Sequence, residues 1–256
     1  MIHLFTPQDK TELIERFMRY CRIDTQSSGG QSDTLPSTAK QFDLATVLVD
    51  ELALVGIPAI LSERCYVCAT IPGNAPSTRV IGFLAHLDTT PCAPATNVNP
   101  IVHRAISGDS LPLPSGAVIP KRSLSRYAGQ DIITSDGSTL LGADDKAGIA
   151  AIMQLATILQ REKDTIPHGD IKICFSPDEE LGNEPKGIDL TIFNPSGAYT
   201  IDGGSIGEIE YETFSKEKIT IQIDPVESAT SSFPSPIIKA KDVAVEFVQM
   251  LAKVSP

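Results

Sequence analysis

Four short clusters of acidic residues, one of them led by a histidine, each follow a stretch with the character of a β-strand. The clusters are His86-Leu87-Asp88, Gly142-Ala143-Asp144-Asp145-Lys146, Asp178-Glu179-Glu180 and Asp202-Gly203-Gly204. In parallel α/β sheets the carboxyl ends of the strands meet at one crevice, where ligands bind. The sequence therefore predicts that these side chains converge at one edge of a sheet.

Strands alternate with helices along most of the chain. Residues 79–85 (RVIGFLA) form a compact apolar run, residues 170–175 alternate in polarity, and residues 198–201 are a shorter strand. Helices are predicted over residues 37–55 and 149–159. This alternation predicts an α/β fold with a mostly parallel sheet and helices on both faces.

Three other segments carry local signals. Thr6, followed by proline, is a helix cap. Residues 91–130 are rich in Pro, Ser and Gly, which predicts a long loop with short strands at most. Cys65 and Cys68 form a CxxC, but no second pair or helix start accompanies them. We therefore interpret residues 65–70 as a strand rather than a metal or redox motif.

The pattern changes near residue 213. Residues 1–212 are predicted to form the first domain, and residues 213–256 to begin a second, smaller α+β domain. In the second part, residues 218–223 (KITIQI) alternate as a half-exposed strand does, and residues 237–254 have helical periodicity. One strand and one helix bury little surface by themselves, so this second domain is predicted to be incomplete.

Composition excludes several classes of function. The net charge is -11 and the pI is about 4.8, which disfavours nucleic acid as a partner. No stretch is long and apolar enough to span a membrane, and the N-terminus lacks the pattern of a signal peptide. Five cysteines, an odd number, argue against a disulfide framework. The expected location is the cytoplasm.

Several carboxylates and one imidazole at a single crevice would repel one another without cations. Oxygen ligands with one histidine suit zinc, cobalt or manganese, and the number of carboxylates suggests two ions. Each cluster alone also has a plain structural reading. His-x-Asp can be a polar loop, Asp-Glu-Glu a solvated charge cluster, and Asp-Gly-Gly a turn. The order of the clusters and their positions after strands favour the metal site.

Four longer motifs resemble those of the peptidase T family, which are cytoplasmic tripeptide aminopeptidases among the two-zinc exopeptidases. The motifs are HLDT at residues 86–89, LLGADDKAGIA at 140–150, IPHGDIKICFSPDEELG at 166–182 and YTIDGG at 199–204. The resemblance extends over residues 1–214 in order. It implies two zinc ions per subunit, a short peptide substrate, and the start of a lid or dimerisation domain after residue 212.

The resemblance also implies roles for individual residues. The zinc ligands would be His86, Asp144, Glu180 and Asp202, with Asp144 between the two ions and Asp145 as a neighbour. Asp88 would orient His86, and Glu179 would be the general base. Adjacent glutamates can divide these tasks if a bend at Pro177 or a turn directs both side chains inward.

Two histidines that the family uses are not matched here. One follows the first lid strand in a His-Pro-Gly turn, where this chain has residues 226–241 without histidine. The other is a zinc ligand in a C-terminal segment that returns to the catalytic domain, and no histidine follows His168 here. We therefore expect the catalytic domain to lack its return segment and the chain alone to be impaired. Residues 224–241 resemble nothing recognisable, and the family's homodimer would depend on the incomplete lid.

Three alternatives stay open at this point. A related two-zinc dipeptidase or deacylase would use the same ligands, because its specificity resides in the lid and loops. A non-catalytic fragment or binding module would explain the unmatched histidines. A metal-free structural protein would leave carboxylates uncompensated at the strand ends, which is costly if they are buried.

Overall fold

The computed structural model describes residues 5–30, 32, 34–77, 79–211, 221–224 and 240–251. The chain divides into two units, Met1–Glu208 and Ile209–Pro256. The assignment of a catalytic domain and a lid to the two parts of the chain stays a prediction. No helix within the described ranges is long and apolar enough to cross a membrane.

The first unit is built around strands and three long helices. Its helices are α1 (Pro7–Cys21), α2 (Gln41–Leu54), α3 (Lys121–Leu124) and α4 (Ala143–Arg161). Its strands are β1 (Ala59–Leu61), β2 (Val67–Ile71), β3 (Ile81–His86), β4 (Ile101–His103), β5 (Leu111–Pro112), β6 (Val118–Ile119), β7 (Ile132–Thr134), β8 (Ile171–Ser176) and β9 (Gly197–Thr200). The second unit contains α5 (Ala240–Leu251), which lies within the helix predicted over residues 237–254.

The central sheet has the strand order β1-β2-β8-β3-β9. Strand β3 pairs parallel with both β8 and β9, whereas β2 is antiparallel to β1 and β8. All strands of this sheet except β2 therefore run in one direction, and the predicted mostly parallel α/β fold is confirmed. The three strands that precede predicted site residues are neighbours in the sheet.

The two faces of the sheet are covered differently. Alternate residues of β2 and β8, such as Val67 and Phe175, join the large buried core, to which α1, α2 and α4 all contribute. Cys68 and Cys174 face the opposite way, into a smaller cluster with Phe193. Where the sequence predicted helices on both faces, the described residues place the three long helices together in the larger core.

Helix α1 begins as its sequence predicts. The Thr6 hydroxyl accepts a hydrogen bond from the Asp9 N–H at 3.2 Å, and the Asp9 carboxylate accepts from the Thr6 N–H at 2.8 Å. This reciprocal capping box satisfies two donors that the first turn would otherwise leave unpaired. Asp9 is fully buried and also accepts from Arg161 at 2.6 Å, so the same residue ties α1 to the end of α4.

Helix α2 starts at Gln41, four residues later than predicted. The preceding residues make other contacts: the Ser37 N–H donates to Asp178, and the Thr38 hydroxyl donates to the Gln26 carbonyl oxygen at 2.7 Å. These long-range bonds hold residues 37–40 in a turn rather than in the first turn of the helix.

Other sequence predictions have mixed outcomes. The long segment 91–130 contains only short strands, as expected, but it also contains the short helix α3, which was not expected. Cys65 lies in a turn with φ 67°, so the strand begins at Val67 rather than Cys65, and the CxxC does not form one local motif. The predicted strand over residues 218–223 lies mostly outside the described residues, and residues 221–224 are not in a strand.

Candidate metal centre

Three neighbouring strands deliver candidate ligands to one point. Strand β3 ends at His86, β8 leads into Glu179, and β9 leads into Asp202. One donor atom from each of these three residues lies within 4.8 Å of the other two. A histidine nitrogen and carboxylate oxygens at this spacing form a donor set that suits a zinc ion.

Asp144 reaches the same histidine from the start of α4. Its Oδ1 lies 2.7 Å from His86 Nε2, and from that nitrogen Asp202 Oδ2 is 3.8 Å away and Glu179 Oε2 is 4.0 Å away. Gly142 makes this approach possible, because its φ of 78° belongs to the left-handed region that glycine tolerates. Asp144 itself departs from helical geometry, so its carboxylate leaves the helix axis and faces the cluster.

Asp88 lies behind His86 and is fully buried. Its Oδ1 is 3.3 Å from His86 Nδ1 and accepts a hydrogen bond from the Glu179 N–H at 3.0 Å. A carboxylate on the second ring nitrogen fixes the orientation of a metal-binding imidazole. Asp88 therefore has the contact that its predicted orienting role requires, and it also links the loops after β3 and β8.

Asp145 stays beneath the site. Its carboxylate accepts from the His86 N–H at 3.1 Å and from the Gly148 N–H at 3.1 Å. Burial raises the pKa of Asp145 to about 8, and the nearby charge of Asp202 acts in the same direction. The residue holds backbone in place, in agreement with its prediction as a neighbour of the ligands.

Glu179 and Glu180 follow a sharp reversal of the chain. The bend lies at Asp178, whose φ is 55°. Glu179, predicted as the general base, belongs to the three-residue donor group, whereas Glu180, predicted as a ligand, does not. Burial raises the pKa of Glu180, as does the charge of Asp144, so Glu180 feels the same negative field. The division of roles between the two glutamates stays a prediction.

Charge is concentrated around one imidazole. Burial acts to lower the pKa of His86, but its hydrogen bonds to Asp144 and Asp88 dominate and raise that pKa to about 11. The same contact lowers the pKa of Asp144. The protonated imidazole thus serves as counter-charge to the carboxylates. A divalent cation would supply more positive charge at the same place and would release the proton from Nε2.

Two features of the site were not found from sequence. Gly148 is where α4 passes the end of β9, and a Cβ there would lie 2.0 Å from the Ile201 carbonyl oxygen. Asp178 stood inside a recognised cluster but received no role, although it forms the turn before the two glutamates. In the sequence alone, a glycine in a helix and an aspartate before two glutamates are only weak indications of a close approach or of a left-handed turn.

Solved structures share this fold. The chain superposes on a tripeptidase from Staphylococcus aureus with a TM-score of 0.56, 22% identity, and coverage of 77% of this chain and 44% of the other. Aminopeptidase PepT from Bacillus cereus gives a TM-score of 0.56, 22% identity, and coverage of 79% and 45%. The chain therefore shares the fold of these two proteins over more than three quarters of its length.

Curated proteins match most of the chain, although no protein-family model does. Peptidase T from Geobacillus thermodenitrificans is 45% identical over 251 residues, covering 94% of this chain and 60% of the relative. Peptidase T from Shewanella halifaxensis is 45% identical over 209 residues, covering 80% and 51%. The chain is thus similar to peptidase T over nearly all of its own length, and it spans about 60% of the length of the first of these relatives.

The match to relatives also corrects the extent of the resemblance. A third peptidase T, from a Geobacillus strain, is 40% identical over 256 residues and matches 96% of this chain. A match of that length passes residue 214 and reaches into residues 224–241. The aligned length therefore extends beyond the motif resemblance over residues 1–214 and spans the segment that resembled nothing recognisable.

Proposed function

We propose that this chain carries zinc-binding residues of a tripeptide aminopeptidase, which removes the N-terminal residue of a short peptide. The observation that supports this most directly is the convergence of His86, Glu179 and Asp202 within 4.8 Å. Asp144 adds a carboxylate 2.7 Å from the same histidine. Because the chain spans only part of its relatives, the reaction of peptidase T comes to it as a proposal.

The donor set fits zinc for two reasons. It combines one imidazole with carboxylates, and the raised pKa of Glu180, caused by burial and by Asp144, reflects crowding that a cation would relieve. The proposed ligands are His86, Asp144, Glu180 and Asp202, for two ions as in the family. When bound, such ions polarise the substrate carbonyl group and increase the acidity of a coordinated water.

The protein groups then perform the proton transfers. Glu179 lies within 4.0 Å of His86 Nε2 with 41% of its side chain exposed, so it can meet both the site and a substrate. As general base it takes a proton from the attacking water, and it then delivers that proton to the amine of the departing dipeptide. Asp88, buried behind His86, keeps the imidazole oriented throughout.

Substrate class and location are also proposed. The preference for a free α-amino group and for three residues rests on the family. A cytoplasmic location is supported by the cysteines, all five of which are free thiols. A homodimer formed through the lid is likewise proposed from the family alone.

The division of roles between the glutamates can be tested with matched variants. Glu179→Gln should retain zinc and lose tripeptide hydrolysis, because it removes the base and keeps the shape. Glu180→Gln should lose zinc, because it removes a ligand. Glu15→Gln, on the exposed face of α1, is the control. Zinc content and hydrolysis of tripeptides, dipeptides and acetylated amino acids are measured on the same samples.

The outcomes separate the open alternatives. Turnover of tripeptides alone supports the proposal, and turnover of dipeptides or acetylated amino acids supports the related enzymes. Full tripeptide turnover by the unaltered chain would also refute the expectation that it is impaired alone. Zinc binding without turnover, unchanged in Glu179→Gln, would support a non-catalytic binding module. Failure of the unaltered chain to bind zinc would reject the metal site itself.

A further inference from the structure

Asp178 is a fully buried carboxylate that none of the assigned roles uses. Its Oδ2 accepts a hydrogen bond from the Ser37 N–H at 2.5 Å, and its Oδ1 accepts from the Ser37 hydroxyl at 2.5 Å. Gln41 adds a third donor, with Nε2 2.7 Å from Oδ1. Burial of a charged group costs several kcal/mol unless it is well paired, so such a set of donors is a built arrangement.

Gln41 holds the backbone of Asp178 as well as its side chain. The Gln41 side-chain oxygen accepts from the Asp178 N–H at 3.3 Å. One buried amide thereby fixes both ends of the residue whose φ of 55° reverses the chain. Left-handed backbone is uncommon outside glycine and persists where surrounding contacts stabilise it.

The reversal at Asp178 places the next residue in the candidate metal centre. The Glu179 N–H donates to Asp88 at 3.0 Å, and the same Asp88 oxygen lies 3.3 Å from His86. Hydrogen bonds at both ends, joined by the peptide bond between Asp178 and Glu179, therefore connect Ser37 to the imidazole through Asp88. Movement of the turn would shift the backbone of Glu179 relative to His86.

The segment that supplies Ser37 is itself attached to the loop after β3. The Thr38 hydroxyl donates to the Gln26 carbonyl at 2.7 Å, and the Ser27 N–H donates to the Thr89 carbonyl at 3.0 Å. Gln26 and Thr89 also form an isolated parallel bridge. Contacts from residues 26–41 thus reach the loops that follow both β3 and β8.

We infer that Asp178 is a positioning residue for the metal centre, acting through its bonds to Ser37 and Gln41. The inference rests on the proposed function, because it concerns the ligands of that site. Asp178 is not one of the proposed metal ligands, and its carboxylate is bonded to Ser37 and Gln41 instead. It sets the direction in which Glu179 and Glu180 leave the turn, and so sets the fit of the site to a divalent ion.

Cobalt(II) is a suitable probe, because its visible absorption reports both binding and coordination geometry. Asp178→Asn keeps the size of the side chain but turns an amide toward the donors of Ser37 and Gln41. We expect cobalt to bind about 10–100-fold more weakly, as for loss of other groups that orient ligands, with an altered absorption band. Asp189→Asn, at an exposed aspartate of a neighbouring loop, is the control and should bind as the unaltered chain does.

Because Asp178→Asn could misfold, a pair of smaller changes at Ser37 tests the same contact. Ser37→Ala removes the hydroxyl donor but keeps the backbone donor, and Ser37→Thr restores a hydroxyl. Cobalt affinity should fall severalfold in Ser37→Ala, with an altered absorption band, and both should recover in Ser37→Thr. The metal-free Ser37→Ala protein should also unfold at a lower temperature, because a buried carboxylate loses one donor. If Ser37 and Asp178 had a purely structural role, Ser37→Ala would lower the unfolding temperature but leave the cobalt affinity and the absorption band unchanged.

Two results would overturn the inference, and they are distinguishable. If the unaltered chain binds cobalt and both Asp178→Asn and Ser37→Ala bind it equally well, Asp178 does not position the site, and the proposed function stands. If the unaltered chain binds no cobalt, the metal site of the proposed function fails, and this inference fails with it.

Discussion

Replacement of Gly148 by alanine tests how closely α4 must approach the end of β9. An added Cβ would lie 2.0 Å from the Ile201 carbonyl oxygen and 2.3 Å from Asp145 Oδ1. Non-bonded heavy atoms prefer separations of about 3.5 Å, so the strand end or the helix must move by about 1.5 Å. Ile201 directly precedes Asp202, so the movement would also displace a proposed zinc ligand.

The size of the effect follows from two opposing contributions. Overpacking against backbone costs about 3 kcal/mol at the upper end of its usual range, and alanine in a helix regains about 1 kcal/mol over glycine. The net loss of about 2 kcal/mol corresponds to a lower unfolding temperature by roughly 4–8 °C in a domain of this size. Zinc affinity should fall as well, because Asp202 is displaced.

Thermal unfolding of the metal-free protein measures the loss of stability, and a zinc titration measures the loss of affinity. Gly197→Ala is the matched control, because a Cβ on this residue of β9 would meet nothing within 4 Å. It should lower neither the unfolding temperature nor the zinc affinity. If Gly148→Ala unfolds at the temperature of the unaltered chain and binds zinc equally well, the close approach does not position Asp202, and the reasoning is wrong.

Three further predictions concern α1 and the histidine. Asp9→Asn should destabilise the fold by about 3 kcal/mol, as for loss of a buried partner to a charged group. The bond to Arg161 lowers the pKa of Asp9, so its stabilisation is complete above about pH 4, the ordinary pKa of an aspartate. The difference in urea unfolding between Asp9→Asn and the unaltered chain should therefore shrink as the pH falls below that value. Thr6→Ala should cost about 1 kcal/mol through loss of the cap, which the same unfolding measurement would detect, and Thr6→Ser should restore it. His86→Ala should abolish zinc binding in equilibrium dialysis, and retention of full zinc content would exclude His86 as a ligand.

The fold was largely accessible from sequence because its strands are apolar and its helices have clear end signals. Strand β3 and helix α1 lie close to their predicted positions, because an apolar run and a capping residue are both signals within a short stretch of sequence. The late start of α2 was not accessible. It depends on bonds from Ser37 to Asp178, a residue 141 positions away in the chain.

The sequence predicted that the site residues meet, but it did not predict the contacts that hold them in place. The polar clusters after β3, β8 and β9 could be placed together because strand ends of a parallel sheet share an edge. The turn that directs Glu179 could be foreseen only in general terms, as a bend near Pro177. Its actual origin is the buried pairing of Asp178 with Gln41, which no local pattern indicates.

The central claim is that zinc binds at the carboxylate and histidine cluster, and X-ray absorption spectroscopy of the zinc-loaded chain tests it most directly. The account predicts a first coordination shell of oxygen with one imidazole nitrogen at about 2.0–2.2 Å, and loss of the imidazole signal in His86→Ala. Sulfur scattering at about 2.3 Å would show that the free cysteines bind the metal instead. That result, or an imidazole signal that persists without His86, would contradict the account.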